Sequence, residues 1–434
     1  MPMGFMHRII YTLGVYWRSP EIKDAYNQLK KSETYDQKTL ENNQLIALKK
    51  LLKKAYSTSL FYRDLYDKHG VNIDDIQTLS DIEKLPTVTK KDLLNHRENI
   101  QNKGGYRKLF LSETSGSTGE PLVFYRHSEW DAAHRAAQQR GYSWYDIKPW
   151  DRNGYFWGYD YRKKRTLKIR FLDSLLNRFR LFSYTSKDID RFAKKLNKAV
   201  YLEGYSSMIY EVAKRINTHQ IRPYHLKLVK GTSEKIFPSY HAEVKQAFGQ
   251  PITSEYGAAE TGIIAFECPK GNMHVVMENV IVETQKNEAI ITNLHSDSFP
   301  IIRYKLGDTI TLNKDKKCAC GMHHDIIEDV LGRVGQVIYG KLHEYPSLTL
   351  YYVFKNMALN SHLTINYQAV QHKKGSVDLY LDQSLSDEML RILQDEWYAY
   401  FAADVDVRIH PKGLQRSYDH KFKDFISYVT QPSK

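Results

Sequence analysis

Apolar residues recur every three or four positions between residues 21 and 68. Leu45, Leu48, Leu51, Leu52 and Ala55 share one face with lysines between them, and Phe61, Tyr62 and Leu65 continue that face toward Gly70. This spacing predicts helix through most of the segment. Two capping sequences follow. Thr78-Leu79-Ser80-Asp81 precedes a short helix that stops before Pro86, and Thr89 precedes another from Lys90 to Arg97. From residue 108 the pattern changes to short apolar runs separated by longer periodic ones. Strands are predicted at 108–111, 122–125, 154–161, 199–202, 226–229 and 252–256, and helices at 128–144, 186–198, 206–218 and 238–248. The alternation argues for an α/β core with a largely parallel sheet.

From Met273 onward the helical runs disappear. Strands are predicted at 274–277, 279–284, 288–292, 301–304 and 309–312, forming a β-rich lobe over about 273–332. The last hundred residues read as strands at 363–371 and 376–381, a helix at 386–401 and a strand at 404–409. The predicted architecture is therefore α/β: a large multi-lobed N-terminal domain over 1–332 and a small α+β C-terminal domain over 333–434.

The chain has 434 residues, 42% hydrophobic and 13% aromatic, enough to build a large globular core. No apolar run approaches the roughly 20 residues of a membrane span. The apolar run at 9–17 follows His7 and Arg8, is short and has no small-residue cleavage site after it, so it does not read as a signal peptide. The cytoplasm is the expected compartment. A net charge of +13 points to an anionic partner. Basic residues are spread widely, with one dense run at Arg162–Arg170 and no accompanying nucleic-acid module, so nucleic acid is not expected. The run is either a solvated face or a surface for weak contact with an anionic glycan or membrane.

Five stretches carry candidate chemistry. Ser112 to Pro121 packs the hydroxyls of Ser112, Thr114, Ser115, Ser117 and Thr118 around Gly116 and Gly119. Small donors on a turning backbone suit a phosphate chain, although the spacing is not a Walker loop and a plain surface loop is the alternative. In Ser254-Glu255-Tyr256-Gly257-Ala258-Ala259-Glu260-Thr261, a strand runs into an aromatic that can stack on a base and a carboxylate that can reach Mg²⁺. Asp308 follows Gly307 at a predicted strand end, where it can accept from both ribose hydroxyls or serve an ordinary hairpin turn. Gly332-Arg333 closes the β-rich lobe. Lys421, in a basic segment near the C-terminus, can neutralise phosphate charge in a transition state.

The order of these stretches resembles that of the adenylate-forming enzyme superfamily. Residues 74–90 (D-D-I-Q-T-L-S-D-I-E-K-L-P-T-V-T-K) resemble more narrowly the phenylacetate–CoA ligase family, closest to its members associated with capsular polysaccharide biosynthesis. The likeness runs from about residue 40 to the end. It implies an adenylation domain over 1–332 and a mobile C-terminal domain over 333–434. It implies that Thr114, Ser115, Gly116, Ser117, Thr118 and Gly119 cradle the β- and γ-phosphates of ATP. Gly231, Thr232, Ser233 and Glu234 match the loop beside the adenine. Glu255, Tyr256, Gly257 and Thr261 belong to the nucleotide site, with Tyr256 flanking the adenine. Glu260 assists Mg²⁺, Asp308 takes the ribose hydroxyls, Arg333 contacts ribose or phosphate, and Lys421 drives adenylation. Three positions depart from the pattern: Leu122 stands where a lysine is common, Gly335-Gln336 replaces a polar hinge pair, and His420 replaces the glycine before the lysine, leaving Lys423 as a rival.

The three cysteines are Cys268, Cys318 and Cys320. With His274 they supply three sulfurs and a nitrogen, the donor set of a closed tetrahedral zinc site, and the resembled family often carries such a set. His323 and His324 are rival ligands, and three free thiols are the alternative.

The implied reaction activates a small carboxylic acid as acyl-AMP with ATP and Mg²⁺. The acyl group then passes to coenzyme A or another thiol, to an amine, or to a sugar, in surface polysaccharide biosynthesis. A nucleotidyltransferase that leaves AMP on its substrate and a non-catalytic binding protein on the same fold are the alternatives. The aromatic run Tyr155-Phe156-Trp157-Gly158-Tyr159 lines the acyl pocket or is ordinary core.

Overall fold

The structure, a computed structural model, describes residues 3–114, 121–156, 163–181, 186–219, 226–333, 337–347, 349–350, 353–354, 356–357, 365–415 and 422–429. Four helices open the chain: Met3–Arg18, Ile22–Ser32, Gln37–Thr58 and Leu60–Lys68. The single helical stretch predicted over 21–68 is thus three helices, broken at caps. Asp36 accepts from the Thr39 amide and Ser59 from the Tyr62 amide, satisfying helix-start donors that have no partner within the helix. The face carrying Leu48, Leu51, Leu52 and Ala55 is buried as the spacing predicts. Both capping sequences form reciprocal boxes. Thr78 and Asp81 head the 3₁₀ turn Leu79–Lys84, and Thr89 and Asp92 head the helix Lys90–Asn95.

Strands β1 (Leu109–Glu113) and β2 (Val123–His127) form an antiparallel hairpin. Among the described residues, the main sheet has eleven strands. Five are β3 (Asn153–Phe156), β4 (Arg178–Arg180), β5 (Tyr201–Tyr205), β6 (Leu228–Thr232) and β7 (Ile252–Ala258). The others are β8 (Gly262–Glu267), β9 (Met273–Val275), β10 (Val280–Gln285), β11 (Glu288–Asn293), β12 (Tyr304–Asn313) and β13 (Ile326–Arg333). The spatial order is β10-β11-β12-β13-β9-β8-β7-β6-β5-β3-β4. From β4 to β7 neighbours run parallel, and from β7 to β10 they run antiparallel. The β-rich region is therefore a continuation of the α/β sheet. The reversal happens at the β7–β8 hairpin, where a Cβ on Gly257 would stand 2.3 Å from the Gly262 carbonyl oxygen.

The strand predicted at 309–312 lies within β12, but of the one predicted at 301–304 only Tyr304 does, and residues 301–303 lead into it. Across from it, Glu288 faces Thr309 while Ile290 faces Lys305, so β12 carries extra residues between these pairs. Gly307, at φ +80°, takes up the excess in a left-handed bulge. Asp308 is thereby presented from within a strand, where the sequence suggested a strand end.

The C-terminal segment forms its own sheets. β14 (Val337–Tyr339) pairs with β15 (Glu344–Pro346). β16 (Tyr367–Lys373), β17 (Ser376–Leu381), β18 (Asp406–His410) and β19 (Phe425–Ser427) form a sheet in the order β18-β17-β16-β19, accompanied by the helix Asp387–Phe401. This unit shares a core with the parallel half of the main sheet: Leu202, Val229 and Ile252 belong to the same buried cluster as Val353, Tyr367 and Leu379. Across the junction the rings of Phe237 and Tyr367 meet edge-on at 5.9 Å, and Asn366 Nδ2 donates to the Tyr210 hydroxyl at 3.1 Å.

The N-terminal helix Met3–Arg18, which the sequence reading left unassigned, is tied down by one buried carboxylate. Asp131 lies 2.8 Å from Arg135 Nε, 3.0 Å from an Arg126 nitrogen and 3.3 Å from Arg18 Nε, and it accepts from Ser19 Oγ at 3.2 Å. Burial opposes its charge, but Arg135 and Arg126 outweigh burial and hold its pKa well below the usual carboxylate range. A depressed carboxylate pKa gives stability that is present above the unfolded value and lost as pH falls. Asp131→Asn should cost about 3 kcal/mol at pH 7, because it takes the carboxylate partner from the largely buried Arg126. Urea unfolding checks this, and the loss should shrink below about pH 4.

Candidate active site

The C-terminal ends of β5, β6 and β7 open into a cleft of about 1550 Å³, lined among others by Thr114, Glu234, Tyr256, Glu260, Asp308 and Lys423. Open α/β sheets place ligand sites at this end of parallel strands. Thr114 closes the mouth of the hydroxyl-rich loop: its amide donates to the Leu122 carbonyl at 3.0 Å, and its Oγ1 accepts from the Leu122 amide at 2.9 Å. Ser115, Gly116, Ser117, Thr118 and Gly119 lie outside the described residues, but Thr114 and Pro121 at the two ends of the loop both line the cleft.

The end of β6 and the turn after it bring Thr232, Ser233 and Glu234 to the rim, with Ser233 at φ +66°. Gly231 sits one step inside the strand, where a Cβ would meet Ser206 Oγ at 2.6 Å. The Glu234 carboxylate accepts from the Ser207 amide at 2.9 Å and from the Phe422 amide at 2.6 Å. It therefore ties the cleft to the C-terminal chain, and Phe422 and Lys423 both line the cavity.

At the end of β7 the Tyr256 hydroxyl donates to Asp308 Oδ2 at 3.0 Å. The sequence separates these residues by half of the antiparallel sheet, and the fold brings them together. Glu260 is buried with Oε1 accepting from the Tyr304 hydroxyl at 3.1 Å. Its hard carboxylate oxygens are the donor type Mg²⁺ takes. Asp308 faces Arg333 across the β12–β13 pair, which puts the Arg333 backbone at the same rim. Gly257 and Glu255 also line the cleft. Thr261 does not. The chain turns back just before β8, and Thr261 faces a small separate cavity with Trp130, Asn293 and His295, its carbonyl accepting from Asn293 Nδ2 at 3.0 Å. Gly335-Gln336 and Lys421 lie outside the described residues. The rival Lys423 is exposed, with its carbonyl held by Gln368 Nε2 at 2.8 Å.

The sequence reading missed the inner part of the cleft. Lys230 Nζ lies 3.1 Å from Glu203 and 2.9 Å from Glu255, and Arg178 reaches Glu203 at 3.4 Å. The Tyr142 hydroxyl donates to Glu203 at 2.5 Å. Burial disfavours the Lys230 ammonium, but Glu255 and Glu203 outweigh it and hold its pKa above the ordinary value. Burial likewise opposes the Glu203 charge, and Lys230 and Arg178 overcome it. A charge inside each of two otherwise apolar strands, Y-L-E-G-Y and L-V-K-G-T, was the available signal. Of the aromatic run, Tyr155 lines the cleft and Phe156 is core, while Trp157, Gly158 and Tyr159 lie outside the described residues.

On the side of the sheet near β9, the thiols of Cys268, Cys318 and Cys320 and the His274 ring converge, with one ligand atom from each all within 4.8 Å. Cys268 Sγ and Cys318 Sγ are 3.7 Å apart, and Cys320 Sγ is 3.2 Å from His274 Nε2. A tetrahedron with Zn–S bonds of about 2.3 Å has an edge of about 3.8 Å, so the spacing fits the metal. His274 Nδ1 faces the His324 carbonyl at 3.4 Å, turning Nε2 toward the thiols. The rivals stand elsewhere: His324 Nε2 is 2.9 Å from Glu278, and His323 is exposed.

This fold is the one found in adenylate-forming ligases. It superposes on a 2-hydroxyisobutyryl-CoA ligase, solved in the postadenylation state in complex with 2-HIB-AMP, with a TM-score of 0.70 at 16% identity, over 92% of this chain and 91% of that one. By sequence the chain is similar to protein CapK of Staphylococcus aureus, 23% identical over 361 residues, which are 76% of either chain. It is also similar to the phenylacetate-coenzyme A ligase of Escherichia coli strain K12, 36% identical over 92 residues, 21% of either chain. No protein-family model matches. The chain thus has the fold of these ligases and is similar in sequence to protein CapK and, over a short span, to a coenzyme A ligase. Among the described residues, no helix is long and apolar enough to cross a membrane.

Proposed function

We propose that the chain activates a small carboxylic acid as its acyl-adenylate and passes the acyl group to a thiol such as coenzyme A, or to an amine. The observation that carries this reading is the convergence of Tyr256, Asp308, Glu260 and Thr114 on one cleft at the ends of parallel strands. In the first step a carboxylate oxygen attacks the α-phosphorus of ATP. The bond to the β-phosphate oxygen breaks, and pyrophosphate leaves with the electron pair. The acid is already ionised near neutral pH, so catalysis is positioning and charge neutralisation. Tyr256 flanks the adenine, and Asp308 accepts from the ribose hydroxyls. Thr114 anchors the loop of Ser115, Gly116, Ser117, Thr118 and Gly119 against the β- and γ-phosphates. Glu260 is the residue that would hold Mg²⁺, which supplies charge neutralisation on the phosphates when bound. Lys421 reaches the reacting phosphate, and Arg333 sits at the boundary between domains 1–332 and 333–434. In the second step the acceptor attacks the acyl carbon, AMP leaves, and the acceptor proton passes to solvent or phosphate. Rotation of the C-terminal domain about 333–336 exchanges the two half-reactions.

The setting proposed for this reaction is surface polysaccharide biosynthesis in the cytoplasm, as the resemblance to capsule-associated members implies. Acid-dependent release of both pyrophosphate and AMP tests the reaction. AMP retained on product would mean a nucleotidyltransferase, and no pyrophosphate release would mean a binding protein. Asp308→Ala should raise the KM for ATP about 10- to 100-fold by removing hydrogen bonds to a charged acceptor, and Tyr256→Phe should raise it less. Steady-state kinetics against ATP would show both.

A further inference from the structure

The inner chamber of the cleft identifies the class of acid, an inference that rests on the ligase reading above. The chamber lies between the helix Ser128–Ser143 and the sheet face formed by Glu203, Lys230 and Glu255, with Arg178 closing one side. It opens directly from the nucleotide rim, because Lys230 and Thr232 are two residues apart on β6 and share a face. Helix residues His134 and Gln138 also line it, and the buried His134 Nδ1 has no hydrogen-bond partner. Side-chain exposures of 2% for Lys230, 8% for Glu203 and 10% for Glu255 show charges held almost out of water.

An apolar acyl tail seated here would strip the remaining water from ionised groups and return no hydrogen bonds, a costly exchange. A tail with hydroxyl or ammonium groups donates to the two carboxylates and accepts from Lys230 and Arg178. The formal charges of Lys230, Arg178, Glu203 and Glu255 cancel, which suits a tail without net negative charge. We propose that the acid is a short hydrophilic one carrying hydroxyl or amino groups on its carbon chain, and that Glu203, Lys230 and Glu255 select it.

ATP–pyrophosphate exchange with matched acids tests this: lactate and alanine against propionate, 4-aminobutyrate against butyrate, and phenylacetate as the aromatic arm. The hydroxylated or aminated members should exceed their deoxy partners by about 100-fold or more in kcat/KM, as for sites built to bond a polar substrate group. Phenylacetate or butyrate exchanging as fast as the polar acids would overturn the inference and leave the ligase reading standing. No exchange with any acid would overturn the reading itself. Removing the charges together, with Lys230→Met, Glu203→Gln and Glu255→Gln, should move the polar-to-apolar ratio at least 10-fold toward apolar acids. Glu255→Gln alone is the milder variant should the triple not fold. An unchanged ratio in a folded variant overturns the assignment of these residues.

A separate observation concerns the surface. The N-terminal helix Met3–Arg18 buries His7 and reaches Asp131 through Arg18, yet its outer arc exposes Phe5, Met6, Ile9, Leu13 and Trp17. The helix Lys163–Leu175 and the residue after it expose Leu167, Phe171, Leu172 and Leu176. The two meet at Trp150. Its ring lies 5.9 Å from that of Tyr11 and beneath Arg8, and its carbonyl accepts from Asn177 Nδ2 at 3.1 Å. Lys108, whose Nζ is 4.0 Å from the centre of the Trp17 ring, and exposed Lys168 and Arg170 ring this face with positive charge.

Apolar arcs edged by cations on a chain of net charge +13 complement an anionic lipid surface. We infer that this face docks the protein on a membrane bearing acidic headgroups. Co-sedimentation of the full chain should show binding to vesicles of phosphatidylglycerol with phosphatidylcholine, weakening at high salt and absent with phosphatidylcholine alone. Leu13→Asp and Phe171→Asp should each lower the bound fraction about 10-fold. No binding to anionic vesicles overturns the proposal, as does a concentration-dependent dimer in light scattering that the same substitutions abolish, since a second copy would then be the occupant.

Discussion

Lys421→Ala is expected to lower acid-dependent pyrophosphate release by about 10²- to 10³-fold while leaving ATP affinity within a few-fold. Adenylation concentrates negative charge around the α-phosphate, and a preplaced ammonium in a water-poor cleft is worth most in the transition state. The described chain resumes at Phe422, whose amide donates to Glu234 at the cleft, and Glu234 is itself anchored by the Ser207 amide. Lys423→Ala should cost less than about 10-fold, since that side chain is exposed and a solvated cation stabilises less. Pyrophosphate kinetics for the two variants decide between the lysines, and the reverse ranking would move the role to Lys423. Release of the second product should be spared more than the first step if Lys421 serves adenylation alone.

The second large effect belongs to the Cys/His cluster. Purified protein should carry about one zinc ion per chain, and Cys318→Ser with Cys320→Ser should remove it. The cluster joins the β8–β9 turn to the segment between β12 and β13, with Asn272 Nδ2 donating to Cys318 Sγ at 3.2 Å. Losing a structural metal releases both segments at once, so their amides should exchange on the order of 100-fold faster, while β5 and β6 change little. Metal analysis with hydrogen exchange reads both outcomes. Full protection without zinc would mean that the four residues are held by packing alone.

The two results bear on different halves of the sheet, and the topology explains why. The parallel half carries the charged chamber and receives the C-terminal unit, through contacts such as Phe237 with Tyr367. The antiparallel half supplies Asp308 and the Arg333 backbone and is braced by the cluster. A cleft at the junction therefore depends on both halves keeping their register.

Much of this was legible in the chain. The helices Ser206–Thr218 and Pro238–Phe248 and the strand Ser376–Leu381 fall where periodicity places them, and both capping boxes form from their own four residues. These features depend on neighbours within a turn or two of sequence, so local pattern specifies them. The convergence of Cys268, His274, Cys318 and Cys320 was also readable, since the chain has only three cysteines. Other elements were not legible. β8 and β13 were missed, and the β-rich lobe proved to be the far half of one sheet, because strand pairing is a long-range choice that no local window records. Thr261 looked like its neighbours in sequence, yet a reversal of the chain turns it away from the cleft.

By itself, then, the sequence determined the locally patterned helices and strands, the order of its chemical stretches and, through that order, the reaction class they resemble. Only the tertiary structure decided that the Tyr256 hydroxyl meets Asp308, that Glu234 holds Phe422, and that Glu203, Lys230 and Glu255 face one another inside the cleft. The physical reason is common to all three. Each contact joins residues on different strands, and their charges or hydroxyls acquire meaning only when burial removes the water that would otherwise satisfy them.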